Sequence, residues 1–390
     1  MDAARVVHRC LTLSACTEEP GAITRTFLSP PMHEVHHLVR RWMLEAGMQV
    51  SVDAVGNVRG VWGDQPRLMI GSHLDTVPQA GAFDGILGVM IGIELVEGVK
   101  DPKLVPYGIE VVGFSDEEGV RFGLPFIGSR AKVGNPVMDA PVLEAIRAFD
   151  LDPAEIPKAA IGREIRGYLE FHIEQGPVLE EKQLQLGVVE AIVGQGRAVV
   201  EFQGKAGHAG TTPMKGRSDA LAAAAEWIAV VEKTAIEEEL VATVGRLDVQ
   251  PGAANVIPGV ARATLDVRHK ASKKLERVMG LLETSAEAIA RRRHVKGWWE
   301  LRSIEPPVAM DPAMTGVLAG AVKASRRRLH YLSSGAGHDA MILARKVPAA
   351  MLFLRSPGGI SHHAEERVNE GDVSAALDVG MRFLETWRPV

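Results

Sequence analysis

The segment that most constrains this chain is 71–89, GSHLDTVPQAGAFDGILGV, which is typical of a strand end, a loop and the start of a helix. The apolar run at 68–70 predicts the strand, and the long apolar run after residue 85 predicts the helix. Between them lie His73, Asp75 and Asp84. An imidazole and a carboxylate at the mouth of such a unit predict half of a metal site, and the rest of the chain must supply the other half.

Composition excludes several classes of protein. The chain has 390 residues, 46% of them hydrophobic and 24% charged, which is ordinary for a globular protein. Its formal net charge of -5 argues against a nucleic-acid binder. Two cysteines, Cys10 and Cys16, are too few to staple the chain, so we expect a reducing compartment. No signal peptide is recognisable, and the apolar run at 86–96 is too short to span a bilayer. These features predict a cytoplasmic protein without a membrane anchor.

Further strands are expected to end in polar residues beside the first. A helix is predicted over 33–48, with its three histidines on the solvent side, followed by a hairpin over 50–62. The strand at 107–114 leads into the acidic stretch 115–118, and the strand at 168–173 delivers His172. Because ligands bind outside the carboxyl ends of strands in open α/β sheets, these ends define one plausible crevice.

A second domain is predicted within the chain. Strands, helices and strands follow one another after residue 196 in the order β-α-β-β-α-β, which is typical of a split-βαβ domain. The first domain then resumes near residue 311. The prediction is a discontinuous catalytic domain over 1–196 and 311–390, interrupted by a small domain over 197–310.

The candidate metal ligands share one chemistry, imidazole and carboxylate without thiolate. Such a set suits Zn²⁺, Mn²⁺, Co²⁺ or Ni²⁺, and a carboxylate able to bridge indicates two ions. Asp75, two residues beyond His73 along the strand, is placed to orient that imidazole. The candidates are His73, Asp84, Glu118, His172, and either His362 or His363.

The motifs that carry these residues resemble, in order and over 71–366, those of the M20-type metallo-amidohydrolases of the hydantoinase/carbamoylase family. They are GSHLDTV with AFDG, SDEEGVRF, HIEQGPVLE, GHAGTTPM, ANVIPG with LDVRH, SGAGHDAM and GISHHAEE. The resemblance implies an α/β two-metal hydrolase domain with a mixed central sheet and flanking helices. It also implies an inserted α+β, ferredoxin-like lid domain that dimerises.

The resemblance also assigns the metal ligands and the catalytic base. It implies His73 and His172 on one ion, Glu118 and His362 on the other, and Asp84 as the bridge. Glu117 is then the general base, and the residues agree, since two neighbouring carboxylates would crowd one ion and one is left to accept a proton from water.

Substrate contacts and an oligomer are implied in the same way. His208, in the small domain, is expected to stabilise the oxyanion in the active site of a neighbouring subunit, which requires a homodimer. Asn255 and Arg268 match positions that hold a substrate carboxylate. Without the resemblance, Arg268 would be interpreted as a salt bridge within the small domain. Gln175, Gly359 and His338 complete the set of expected substrate contacts.

The last motif departs from the family pattern. Ala364 stands where the pattern has proline, and His363 follows His362 directly. By register His362 is the expected ligand, but the loop lacks the constraint of a proline, so His363 remains an alternative.

The expected function is hydrolysis of the carbamoyl (ureido) C–N bond of a small carboxylic acid, with release of ammonia and carbon dioxide. Allantoate is the favoured substrate, and the alternatives are those of an N-carbamoyl-L-amino acid hydrolase or a β-ureidopropionase. An aminoacylase or dipeptidase shares the two-metal chemistry, whereas a catalytically silent binding protein would be expected to have lost ligand positions.

Overall fold

The computed structural model describes residues 1–137 and 139–389. It divides into two compact units, one formed by residues 1–190 and 309–390 and the other by residues 191–308. Each unit has its own cluster of buried apolar side chains. Within the described residues, no helix combines the length and the apolar character that crossing a membrane requires.

The strands of the chain are short to medium in length and fall in both units. They are β1 (Gln49–Val52), β2 (Val58–Trp62), β3 (Arg67–His73), β4 (Gly108–Phe114), β5 (Ile165–Ile173), β6 (Leu186–Ile192), β7 (Gly194–Gln203), β8 (Gly207–His208), β9 (Val241–Thr243), β10 (Leu247–Gln250), β11 (Val256–Ile257), β12 (Val260–His269), β13 (Lys296–Glu305), β14 (Val308–Ala309), β15 (Tyr331–Ser334) and β16 (Ala349–Leu354).

The α-helices connect these strands or pack on them. They are α1 (Ala3–Ser14), α2 (Met32–Glu45), α3 (Ile86–Gly98), α4 (Ile127–Lys132), α5 (Ala140–Ala148), α6 (Val178–Glu181), α7 (Ala220–Glu237), α8 (Ser272–Arg292), α9 (Pro312–Ala324), α10 (Asp339–Leu343) and α11 (Glu370–Thr386).

The first unit is built on a mixed sheet, which confirms the expected α/β class. The strand order is β1-β2-β4-β3-β5-β16-β6-β14, and β15 pairs with β6. Four neighbouring strands, β4, β3, β5 and β16, run parallel, whereas β1-β2, β2-β4 and β16-β6 are antiparallel. Parallel strands direct their carboxyl ends to one edge of the sheet. The chain therefore leaves β3, β4, β5 and β16 on the same side, which is where the polar motifs begin.

Helix α3 anchors the end of the loop that leaves β3. It is apolar on all sides and almost wholly buried, as expected of a helix enclosed within a core. Gly88 lets it approach the sheet, because a Cβ atom at that position would overlap the backbone carbonyl oxygen of Phe171 in β5. The sheet cannot yield easily at that point, since the obstacle is backbone and Phe171 precedes His172.

The second unit contains an antiparallel sheet in the order β10-β12-β7-β13, with β9 paired to β12. The hydrophobic faces of α7 and α8 share a buried cluster with β7 and β12, in which Trp227 is fully buried. This is the strand order of a split-βαβ unit. A separate two-stranded ladder pairs β8 with β11.

One expectation about α2 is wrong. His36 is buried, and its ring meets that of Phe149 edge-on with centroids 5.1 Å apart. His33 stacks on the same ring at 3.9 Å. The apolar spacing within α2 did not show that Phe149, which follows α5, covers this side of the helix.

The close approach at Gly88 generates a stability prediction. Gly88→Ala should lower the free energy of unfolding by about 1–3 kcal/mol, because the added methyl group meets a backbone carbonyl in a packed core. Gly320→Ala, in the exposed part of α9 where a Cβ meets nothing within 4 Å, should instead raise it by about 0.5–1 kcal/mol. Urea unfolding followed by circular dichroism measures both; equal effects of the two substitutions would contradict the packing argument.

Candidate metal centre

Among the groups of possible ligands at the carboxyl edge of the first unit's sheet, two share Asp84. His73, Asp84 and His172 place their ligating atoms within 4.8 Å of one another, and so do Asp84, Glu118 and His362. Asp84 belongs to both groups. The structure thus brings together all five residues that the sequence nominated.

The two oxygens of Asp84 face different partners. Its Oδ1 lies 3.2 Å from His172 Nε2 and 3.9 Å from His73 Nε2. Its Oδ2 lies 3.1 Å from His362 Nε2. Among the described residues Oδ1 accepts no hydrogen bond although it is buried. A buried carboxylate oxygen without a donor, aimed between two imidazole nitrogens, is an arrangement that a cation satisfies.

The buried histidines are oriented by backbone carbonyls. His73 Nδ1 lies 3.0 Å from the carbonyl oxygen of Asp75, and His172 Nδ1 lies 2.9 Å from that of Ile173. A carbonyl only accepts, so each Nδ1 carries a proton, and the neutral form of each ring presents the lone pair of Nε2. The two Nε2 atoms are 3.5 Å apart, on the side where Asp84 lies. Hydrogen bonds of this kind fix ligating imidazoles in metal sites.

Asp75 links two strand ends. Its Oδ1 accepts the amide of Glu117 at 3.0 Å, and its Oδ2 accepts the amide of Glu118 at 3.2 Å. The same Oδ1 lies 3.4 Å from His73 Nδ1, farther than the carbonyl oxygen of Asp75. Asp75 therefore sets the position of the two glutamates after β4 while its own backbone orients the imidazole.

Glu117 lies beside this cluster in a closed setting. It is buried, and its carboxylate is grouped with the imidazole of His73 and the carboxylate of Glu118. Burial and the neighbouring charge of Glu118 raise the pKa of the Glu117 carboxyl well above its usual range. A Cβ on Gly337 would come 3.7 Å from Glu117 Oε1, so the glycine-rich loop before α10 passes close to the carboxylate. A carboxyl group with a raised pKa suits proton transfer near neutral pH.

Opposing electrostatic effects act on the imidazoles. Burial lowers the pKa of His172 to about 4, so this ring is neutral and able to bind a cation. Hydrogen bonds to Asp84 and Glu118 raise the pKa of His362 to about 10. Burial alone would raise the pKa of Asp84, but the hydrogen bond from His362 and the electrostatic interactions with the neighbouring imidazoles hold it below its usual range.

The last loop distinguishes His362 from His363. His362 adopts a left-handed backbone conformation with φ +55° and directs Nε2 to Asp84 and to Glu118 Oε1, 3.4 Å away. His363 is exposed, and its Nδ1 accepts the amide of Glu365 at 3.2 Å. His362 is therefore the histidine of this loop that joins the cluster.

The substrate residues expected in the first unit lie at different depths. Gln175 Nε2 donates to Asp84 Oδ2 at 3.0 Å, so this side chain lies at the cluster itself. His338 is fully buried, with its ring 4.4 Å from that of His172 and its Nε2 2.8 Å from Ser334 Oγ. Gly359 has φ +65° in a turn packed against Pro177, where a side chain would be strained.

The second unit carries the other three expected substrate residues. His208 ends β8, and Asn255 directly precedes β11, the strand that pairs with β8. The amide of Ala209 donates to the carbonyl oxygen of Asn255 at 3.0 Å. His208 Nδ1 accepts the amides that follow it, so its neutral ring carries the proton on Nε2.

Arg268 is not brought together with this pair. It lies eight residues beyond the start of β12, or about 26 Å along the strand. Its guanidinium pairs with Asp266 at 2.9 Å, the salt bridge within the small domain that the residues alone favoured.

Sequence reasoning missed Ser361 and Glu366, which both contact Asp84 or its backbone. Ser361 Oγ lies 3.3 Å from Asp84 Oδ2, and Glu366 Oε1 accepts the amide of Asp84 at 3.0 Å. Both lie in the GISHHAEE motif, but nothing in that spacing indicated contact with residues more than 270 positions earlier.

The donor set fits divalent metal ions. It consists of three imidazoles and of carboxylates. The second nitrogens of His73 and His172 are already hydrogen-bonded, and the Asp84 carboxylate has an unsatisfied buried oxygen. The absence of thiolate from this set suits Zn²⁺, Mn²⁺, Co²⁺ or Ni²⁺. An α/β unit with such a cluster at the carboxyl ends of parallel strands has the architecture of a metal-dependent hydrolase.

The chain belongs to peptidase family M20/M25/M40, whose model matches residues 69–386, and within it to the hydantoinase/carbamoylase group. It is 37% identical to allantoate deiminase 1 of Glycine max, over 97% of this chain and 88% of that protein. It is 36% identical to the N-carbamoyl-L-amino acid amidohydrolase of Geobacillus stearothermophilus, over 96% of each. A hydantoinase/carbamoylase family amidase from Burkholderia multivorans superimposes with a TM-score of 0.92 at 30% identity, covering 100% of this chain and 99% of that one. The expected family is confirmed.

The two adjacent histidines allow a matched test of the last loop. His362→Ala should weaken metal binding by more than about 100-fold, since loss of a direct ligand costs more than loss of one of its hydrogen-bond partners. His363→Ala should leave metal content and turnover within about twofold of the unsubstituted protein. Competition with a chromophoric chelator measures the affinities. A His362→Ala protein with full metal content would transfer the ligand role to His363.

Proposed function

We propose that this protein is a metal-dependent amidohydrolase that cleaves the carbamoyl C–N bond of a small ureido acid, with allantoate as the favoured substrate. The single observation that carries the proposal is the buried carboxylate of Asp84 shared between two groups of possible ligands, with Glu117 beside them. Family membership and the relatives' activities support the reaction class.

Five residues are proposed to hold two divalent ions. Asp84 would bridge them, with His73 and His172 completing one site and Glu118 and His362 the other. When bound, such ions lower the pKa of water and polarise the carbonyl of the substrate.

Glu117 is proposed as the group that moves protons. A carboxylate oxygen of Glu117 accepts a proton from the attacking water and later gives it to the nitrogen that leaves. The reaction consumes one water and converts R–NH–CO–NH2 into R–NH2, carbon dioxide and ammonia. The buried position of Glu117 and the raised pKa of its carboxyl group support its role in proton transfer.

The residues proposed to recognise the substrate are Gln175, His208, Asn255 and Arg268. Gln175 lies against Asp84, within reach of a group that binds at the cluster. His208, with its proton on Nε2, is suited to donate to an oxyanion, and we keep the proposal that it does so in a neighbouring subunit of a homodimer. Arg268, held in a fixed orientation by Asp266, is suited to bind a carboxylate in a fork, and Asn255 precedes β11, the strand that pairs with His208.

The alternative substrate is an N-carbamoyl-L-amino acid, favoured by the relative from Geobacillus stearothermophilus. Turnover of allantoate, N-carbamoyl-L-methionine and N-carbamoyl-β-alanine by the protein loaded separately with Mn²⁺, Co²⁺, Ni²⁺ and Zn²⁺ decides between these substrates. An N-acetyl amino acid and a dipeptide serve as controls for the aminoacylase and dipeptidase activities. Cleavage of these two alone would overturn the proposal, and so would no cleavage of any ureido acid with bound metal.

Glu117→Gln tests the proposed base directly. The amide is close in size to the carboxyl group but cannot accept the proton, so kcat should fall by about 10²–10⁴-fold. Metal affinity should change little, because Glu117 is not among the proposed ligands. A Glu117→Gln protein with normal kcat would require another base.

A further inference from the structure

Glu366 lies in the last loop and is the buried member of an exposed stretch. Residues 362–365 are exposed, whereas Glu366 is only 5% exposed. A carboxylate is removed from water at a cost, so its position needs compensating hydrogen bonds. Glu366 makes these hydrogen bonds to residues at the proposed metal centre.

The carboxylate of Glu366 connects two distant segments. Its Oε1 accepts the amides of Phe83 and Asp84, at 2.9 and 3.0 Å. Its Oε2 lies 3.0 Å from Ser361 Oγ, the residue before His362. The Glu366 side chain therefore holds both the backbone of Asp84 and the loop that presents His362.

The bonds around Ser361 also fix the rotation of the Asp84 carboxylate. Ser361 Oγ lies within hydrogen-bonding distance of Asp84 Oδ2 as well as of Glu366. Gln175 Nε2 donates to both Ser361 Oγ, at 3.2 Å, and Asp84 Oδ2. With Oδ2 held in this way, Oδ1 points to His73 and His172.

The chain leaves room for Glu366 at Gly81. A Cβ on Gly81 would lie 2.5 Å from Glu366 Oε1 and would overlap the Cβ atom of Glu366. Gly81 has no side chain to obstruct the carboxylate and lies three residues before Asp84. Substitution at Gly81 thus displaces Glu366 without changing any atom of Glu366 itself.

The backbone of Glu366 closes the last loop. Its amide donates to the carbonyl oxygen of His363 at 3.0 Å, which forms a turn around Ala364. The backbone of His362 is in the left-handed region although the residue is not glycine. Such a conformation persists where surrounding contacts enforce it. Ala364 stands where a proline would constrain the loop, and Glu366 holds this loop through His363 and Ser361.

We infer that Glu366 is a positioning residue for the metal centre, which sets Asp84 and His362 in register with each other without ligating an ion. This inference rests on the proposed two-ion function. It assigns to Glu366 the relative placement of the two segments that supply Asp84 and His362. The ion at that site should depend on Glu366 more than the ion at His73 and His172, which are fixed by their own carbonyl contacts.

The test uses the full-length protein and divalent metal alone as the probe. In Glu366→Ala, affinity for one of two Co²⁺ or Zn²⁺ equivalents should fall about 10–100-fold, the range seen when partners of metal ligands are removed. The Co²⁺ absorption bands of the remaining equivalent should persist. Gly81→Ala should reproduce this loss, because it displaces the same carboxylate.

Two further variants separate positioning from a general effect on folding. Glu366→Gln should restore most of the affinity, since its amide oxygen can accept from Phe83 and Asp84 and its nitrogen can donate to Ser361. Glu365→Ala, at the exposed neighbouring glutamate, should match the unsubstituted protein within about twofold. The KM for the ureido acid should change less than kcat in Glu366→Ala, as the substrate contacts remain.

The inference is overturned if folded Glu366→Ala binds both equivalents with unchanged affinity. It is also overturned if Gly81→Ala does so, and this variant carries the test should Glu366→Ala fail to fold. Equal weakening of both equivalents with no rescue by glutamine would reduce Glu366 to a folding role and overturn the inference too. Failure of the proposed function has a different signature, namely an unsubstituted protein that binds two ions and cleaves no ureido acid.

Discussion

The arrangement of this molecule depends on one carboxylate that is shared. Asp84 lies between two groups of imidazole and carboxylate ligands, and each of its oxygens addresses a different group. A shared carboxylate tolerates little displacement, because a shift that improves contact with one group worsens contact with the other. The surrounding structure therefore has to hold Asp84 from several directions at once.

The contacts that hold Asp84 and its neighbours come from elements far apart in the chain. Gly85, with φ +71°, starts α3 directly against the ring of His73, where a Cβ would come within 2.5 Å of three ring atoms. Behind it, Gly88 presses the same helix against β5. Gln175 follows β5 and donates to Asp84, so the strand that supplies His172 also steadies the shared carboxylate. The packing of the core therefore also determines the geometry of the candidate site.

Strand ends were the part of the site that the sequence could predict. His73, Glu118 and His172 each follow or end an apolar run, and parallel strands had to deliver them to one edge. What the sequence could not predict were contacts that carry no periodicity. The burial of His36 depends on Phe149, more than 100 positions away, and the role of Glu366 depends on amides 282 and 283 positions earlier. Choosing His362 over His363 likewise required the left-handed conformation that the chain adopts there.

The charge balance of the cluster explains why cations suit it. Asp75, Asp84, Glu117 and Glu118 converge in a region with little access to water, where unpaired negative charge is costly. In the protein alone, protons partly offset this charge: they are retained on His362, whose pKa is raised to about 10, and favoured on Glu117. A divalent ion would offset more negative charge than a proton and would also satisfy Asp84 Oδ1, which no donor among the described residues reaches. A cation that binds at this cluster would therefore displace protons from it, because both offset the same negative charge.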